Sequence, residues 1–320
     1  MARITSRAKA RITIGLVNNM SDAALAATER QFTRLLAPAL RDVEVHLSLF
    51  YLPEIARGDA ARAQLQARYA SIDALGDTPV DALVVTGCEP VCANLRDEPY
   101  WESLTRLIDW AKDNTVSTIW SCLAAHAAVL HLDGIERERL PRKLAGIYEF
   151  ARMSDHRLLR GITGPLSVPH SRLNGLNADE LVAHGYELLT HSDRAGVGAF
   201  LKKEGSLFVF LQGHPEYERD SLYREYRRDM NRYLTGKRPT CPALPEHYFD
   251  DETRVALSAL AEEARLKRTS ELAEHLPATV TLRSRAGGEA AAARFFVNWL
   301  GHVAETKARQ PHPSREHASA

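Results

Sequence analysis

The feature that most constrains this chain is a recurring unit, a short apolar run rich in β-branched residues followed by a stretch with helical spacing. Residues 11–18 (RITIGLVN) begin the series, and a helical pattern runs from about Ala24 to Leu40 behind the capping residues Ser21 and Asp22. Val43 to Leu49 alternates like a strand, and Asp81 to Thr86 (DALVVT) is a third apolar run. Tyr100 to Lys112 places Trp101, Leu104, Leu107, Ile108 and Ala111 on one helical stripe. Val116 to Trp120 is a fourth strand that runs directly into Ser121, Cys122 and a helix from Leu123 to Leu132. Strands alternating with helices require parallel βαβ units, so the fold class is α/β with a doubly wound, mostly parallel sheet.

The middle of the chain is richer in strands: 145–151, 166–169, 187–191, 197–202 and 206–211, the last two joined by Lys203-Glu204-Gly205. A helix is expected from about Arg219 to Leu234, a linker over 237–245, one charged helix over 252–275, and a final helix over 290–304 carrying Phe295, Phe296 and Trp299. The domain expectation is a flexible 1–10, an α/β domain over 11–250, a helical C-terminal extension over 251–306 packing on it, and a disordered tail over 307–320.

Charge and cysteine content narrow the function. Forty-one basic residues balance 41 acidic ones, which gives no electrostatic reason to expect nucleic acid or an anionic membrane as partner. No apolar run reaches about 18 residues, and no apolar segment precedes the first strand as in a secretory signal. Cys88, Cys92, Cys122 and Cys241 are too few and too unevenly spaced for a disulfide scaffold, so a cytoplasmic location is expected. Cys88 and Cys92 lack a second ligand pair, and His126 and His131 are five apart on one helix, so no metal site is expected.

Two strand ends carry the chemistry. Cys122 lies where a strand turns into a helix, at the carboxyl edge of the sheet, where open α/β folds place their sites. The free N–H groups and positive dipole end of the following helix favour a thiolate and can hold an oxyanion. Position alone divides Cys122 evenly between a nucleophile and a small buried hydrophobe. The second strand end is Gln212-Gly213-His214-Pro215-Glu216. His214 and Glu216, two apart in extended chain, project to one face, so the glutamate can orient an imidazole acting as base for a thiol. Pro169-His170-Ser171-Arg172 reads as a short loop after a strand, and Arg224, Arg227, Arg228 and Arg232 punctuate the helix after the His-Pro-Glu turn.

Several segments together resemble the homoserine O-acyltransferase family of methionine biosynthesis, in its branch with a class I glutamine-amidotransferase-like (flavodoxin-like) fold. They include IGLVNNM (14–20), ALVVTG (82–87), PYW (99–101), STIWSCLAAHAAV (117–129), KLAGIYE (143–149), PHSR (169–172), GHPEY (213–217) and FVNWL (296–300). The resemblance implies Cys122 as the acyl-thioester nucleophile, His214 as general base and Glu216 as its orienting partner. It puts Lys143, Ser171 and Arg228 on substrate-contacting positions. The implied reaction is ping-pong transfer from acyl-CoA to the hydroxyl of L-homoserine, with acyl-CoA as co-substrate, no bound cofactor, and a homodimer as one expected assembly. Where the family chooses its donor, with glycine for succinyl-CoA and glutamate for acetyl-CoA, this chain has Val91, with Glu89 two residues away; the lean is to succinyl. Serine as acceptor, and a glutamine amidotransferase-like hydrolase, are the alternatives. Against the latter, Ala124 and His126 stand where amidotransferases usually have glycine and glutamine.

Overall fold

The computed structural model describes residues 9–41, 43–283 and 287–309. In chain order the elements are β1 (Ala10–Val17), α1 (Leu25–Leu36), β2 (Val43–Tyr51), α2 (Asp59–Arg68), β3 (Ala70–Ser71), β4 (Ala82–Thr86), α3 (Trp101–Asn114), β5 (Ser117–Ser121), α4 (Leu123–Asp133) and β6 (Glu138–Arg152). There follow β7 (Leu166–Gly175), α5 (Ala178–Ala183), β8 (Glu187–Leu188), β9 (Thr190–Ser192), β10 (Gly196–Val197), β11 (Ala199–Glu204), β12 (Ser206–Leu211), α6 (Ser221–Leu234), α7 (Asp251–Leu266) and α8 (Gly288–Arg309).

Eight strands form the central sheet in the order β3-β2-β1-β4-β5-β12-β11-β8, parallel from β3 through β12 and antiparallel at β11 and β8. Every residue of β4, β5 and β12 is buried, as a strand covered on both faces requires. Alternate residues sort by face. Leu83, Val85, Trp120, Phe208 and Phe210 pack with α3 and α4. Val84, Ile119 and Val209 pack with α1 and α8 on the other side. This two-sided burial makes the sheet doubly wound, as the strand–helix alternation predicts. On the second face α8 seats Phe296 and Trp299, both fully buried, against Phe32 of α1, and the Trp299 indole N–H donates to Ser117 Oγ at 2.8 Å. A sheet of four strands, β10-β9-β6-β7, stands apart from the first.

Several expectations change. Residues 169–172 are not a loop: they lie inside β7, whose partner β6 reaches from Glu138 to Arg152 with an irregular register between Arg139 and Leu144. Segment 187–191 is two strands in two sheets, parted at the fully buried Leu189, whose N–H bonds Ala199 C=O at 2.9 Å. The single helix expected over 252–275 ends at Leu266 and resumes as a 3₁₀ turn over Ser270–His275. The break follows the Arg268 side chain, which turns back to donate to the carbonyls of Tyr233 in α6 and of Arg238 beyond it. α7 buries Leu257, Ala261 and Ala264 in a third core with Tyr223, Tyr226 and Met230 of α6. Lys307 to Arg309, expected in the tail, belong to α8, whereas 310–320 lie outside the described residues, as does most of the expected flexible 1–10. α2 has too few apolar positions to announce itself and buries only Ala61 and Leu65. Among the described residues no helix is long and apolar enough to cross a membrane.

Candidate active site

Cys122 joins β5 to α4 with φ 54° and ψ −114°. A non-glycine residue at positive φ costs on the order of 1–3 kcal/mol and needs its surroundings to enforce it. They do so here: its N–H donates to Leu211 C=O of β12 at 2.7 Å, and its own C=O accepts from Ala125 N–H at 3.0 Å. Gly87, at the end of β4, backs onto the same turn. A Cβ there would lie 2.6 Å from Leu123 Cβ and 2.8 Å from Leu123 N, so only glycine permits this approach. Leu123 N, the first of α4, therefore lies against the end of β4.

β12 delivers the second part. After Leu211 the chain turns at Gly213, where a Cβ would meet His170 Nε2 at 2.5 Å, and His214 N–H donates to Pro169 C=O at 2.8 Å. These contacts fix the histidine. Its Nδ1 lies 2.7 Å from Glu216 Oε1, its ring stacks on Tyr217 with centroids 4.2 Å apart, and Cys122 is close enough to act on its proton affinity. Both His214 and Glu216 are buried. Burial depresses the affinity of His214 for a proton, but the adjoining Cys122 and Glu216 outweigh it and hold the imidazole well above its ordinary range. The arrangement favours an imidazolium facing Cys122, with Glu216 setting the ring orientation.

The three expected substrate contacts also converge, around two acidic residues of α6. Ser171 Oγ and Tyr217 O–H both hydrogen-bond Glu225. Lys143 Nζ donates to Asp229 Oδ2 at 3.1 Å and lies 3.9 Å from Glu225; it sits at the irregular register of β6, a place where a bulge re-aims side chains. Arg228 grips Asp229 Oδ1 at 2.9 and 3.0 Å, and Arg238 reaches Asp229 Oδ2 at 3.0 Å. Burial pushes the Asp229 carboxyl up, but Lys143 and Arg228 bring it below its usual range. Through Tyr217 this cluster adjoins His214.

Val91 does not join these groups, and Glu89 reaches them only through its charge near Arg228. Val91 is 80% exposed on the loop between β4 and α3, and Glu89 pairs with Arg232 of α6 at 3.2 Å. Among the described residues no group of three or more His, Cys, Asp or Glu could hold a metal ion, and all four cysteines are free.

Sequence reasoning gave Arg172 no separate role. It is buried, donates to His170 Nδ1 at 3.2 Å and to the carbonyls of Asn174 and Ala195, and has no ion-pair partner among the described residues. Burial lowers its pKa to about 10, against the opposing pull of Cys122 and Tyr148, so it stays cationic and places fixed positive charge in the field of the thiol. Its presence in PHSR was the one available signal. Tyr217 and Glu225 link His214 to the cluster around Asp229; Tyr217 was marked only as the last residue of GHPEY, and Glu225 carried no signal of its own.

The family model for homoserine O-succinyltransferase matches residues 2–309. A homoserine O-succinyltransferase of Rhodopseudomonas palustris is 52% identical over 290 residues, covering 90% of this chain and 87% of that protein. One from Bradyrhizobium japonicum is 48% identical, covering 92% and 90%. Among solved structures, a glutamine amidotransferase from Thermotoga maritima covers 91% of this chain and 98% of its own at 12% identity and a TM-score of 0.48.

Proposed function

This chain belongs to the homoserine O-succinyltransferase family, and from that premise we propose that it transfers a succinyl group from succinyl-CoA to the hydroxyl of L-homoserine through a thioester on Cys122. The observation that carries the mechanism is the burial of His214 between Cys122 and Glu216, with its proton affinity raised by both.

In the first half-reaction the Cys122 thiolate attacks the acyl carbon of succinyl-CoA. The charge that develops on the carbonyl oxygen is met by N–H groups at the start of α4, beside Gly87. The carbon–sulfur bond to CoA then breaks, and the leaving thiolate takes the proton of His214. In the second half-reaction the now neutral His214 removes the homoserine hydroxyl proton as that oxygen attacks the thioester. Cys122 departs as a thiolate and the imidazolium is restored, so protons and charge balance over the cycle. Glu225 suits the amino group of homoserine, and the cationic Lys143 and Arg228 suit its carboxylate. Succinyl-CoA is a co-substrate that leaves as CoA, and the proposed cycle calls on no bound cofactor.

The test is CoA release by the purified chain with succinyl- or acetyl-CoA against homoserine or serine, followed by Cys122→Ser. Succinyl transfer to homoserine in the parent, and its loss by at least about 1,000-fold in the variant, are expected. Full activity in the variant excludes the thioester. Release with no donor–acceptor pair excludes the reaction.

A further inference from the structure

On the other side of Cys122 from His214, the loops after β1, β2 and β4 bury a second polar group. Arg57, between β2 and α2, has a side chain only 4% exposed. Its Nη1 donates to Met20 C=O and, at 3.2 Å, to Asp22 Oδ1. Its Nε and Nη2 are buried and have no hydrogen-bond partner among the described residues. Those two nitrogens are the guanidinium edge that takes a carboxylate side-on with two parallel N–H···O bonds. Arg30 uses the same edge on Glu218, at 2.9 and 3.1 Å. A buried cationic donor pair without acceptors is destabilising by itself, so its retention points to an anionic ligand.

The surroundings agree in position. Arg57 bonds Met20 C=O, the neighbouring Asn19 bonds Thr86 through its N–H at 2.8 Å and its Nδ2 at 3.0 Å, and Gly87 after it backs onto Leu123, so the loop that buries the arginine meets the Cys122 turn around Gly87. Arg137 also reaches this side, donating to Ala93 C=O at 3.1 Å, and its Nη1 is likewise buried without a partner among the described residues. The nearby carboxylate, Glu98, accepts from Cys92 N–H at 2.7 Å through Oε1; its Oε2 is buried without a hydrogen-bond partner and it forms no salt bridge with either arginine among the described residues, so it opposes their charge without satisfying their donors. Glu89, which would repel an anionic acyl group, is engaged by Arg232 instead.

We propose that the Nε–Nη2 edge of Arg57 receives the free carboxylate of a dicarboxylic acyl group whose other end is carried by Cys122. This rests on the succinyl-transfer reading above and deepens it. Donor choice is then made by a buried arginine in the loop after β2, and not by Val91.

The test compares succinyl-CoA with butyryl-CoA, which has the same carbon count and no free carboxylate, in the full chain and in Arg57→Gln and Arg57→Lys. The readouts are kcat/KM with each donor and the melting transition. Arg57→Gln is expected to lower the succinyl-over-butyryl preference by about 10- to 100-fold, chiefly through KM. Arg57→Lys keeps the charge without the paired donors and falls between. An unchanged preference, an equal loss with both donors, or a parent chain that uses butyryl-CoA as well as succinyl-CoA overturns the inference and leaves the thioester reaction intact. If Arg57→Gln has no cooperative melt, the preference of Arg57→Lys decides by the same criterion. A parent that transfers neither acyl group refutes the proposed function itself, and intact mass after mixing with each CoA shows whether Cys122 was acylated.

Discussion

Gly87→Ala isolates the contact between the β4 loop and the nucleophile turn. The added methyl would sit 2.6 Å from Leu123 Cβ, 2.8 Å from Leu123 N and 3.1 Å from Leu123 Cα. Two of these atoms are backbone, so no rotamer change relieves the clash. Ordinary carbon contact is about 3.5–4.0 Å, so loop and helix must separate by roughly 1 Å. Overpacking of this kind costs about 1–3 kcal/mol, which lowers the melting temperature without abolishing the fold. In the proposed reaction the same 1 Å displaces the start of α4 from the developing oxyanion, and a misplacement of that size costs on the order of 100-fold in rate. The expected result is a chain that still melts cooperatively, with kcat for succinyl transfer down about 100-fold and Cys122 acylation slowed to match. Gly76→Ala is the control, because a Cβ there meets nothing within 4 Å; it should leave both readouts near the parent's. Parent-like kcat in a folded Gly87→Ala chain would refute the assignment of this contact to the reaction.

Trp299→Ala should destabilise by about 3–5 kcal/mol, since the side chain is fully buried between α8 and the sheet and its N–H bonds Ser117 Oγ; urea unfolding measures it, and a loss under about 1 kcal/mol contradicts the packing. Glu218 is held at a pKa of about 2, against 4.5 ordinarily, first by hydrogen bonding to Arg30 and then, against some burial, by Arg224. Its folded-state value is depressed, so its stabilisation is present above pH 4.5 and is lost as the pH falls towards 2. The gap in urea midpoint between the parent and Glu218→Gln should therefore narrow on acidification through that window, and a gap that widens contradicts the ion pair.

Much of the frame was readable locally. Apolar runs such as DALVVT and VSTIW are buried on both faces because helices cover both, and that continuous hydrophobicity marks a parallel strand before any contact is known. His214 and Glu216 do meet, but through a turn closed by Tyr217 N–H on His214 C=O at 3.2 Å and not through the extended chain that their spacing suggested. Segment 169–172 was misjudged because Pro169 and the polar residues after it imitate a turn, whereas β6 supplies the pairing that makes them a strand. The break at Leu266 was hidden because it depends on Arg268 finding the carbonyls of Tyr233 in α6 and of Arg238 beyond it, 35 and 30 residues back in the chain.

By itself the sequence determined the alternating α/β architecture and brought a cysteine and a His-x-Glu to strand ends, because periodicity and strand-end position are properties of neighbouring residues. Only the tertiary structure decided that β12 pairs with β5, so that Leu211 holds the strained Cys122 backbone and His214 meets the thiol. It alone decided that Glu225 and Asp229 gather Ser171, Lys143 and Arg228, and that one edge of Arg57 is buried without an acceptor among the described residues. Those facts depend on side chains far apart in the chain sharing a low-dielectric space, and the cost or gain of that sharing exists only once the chain is folded.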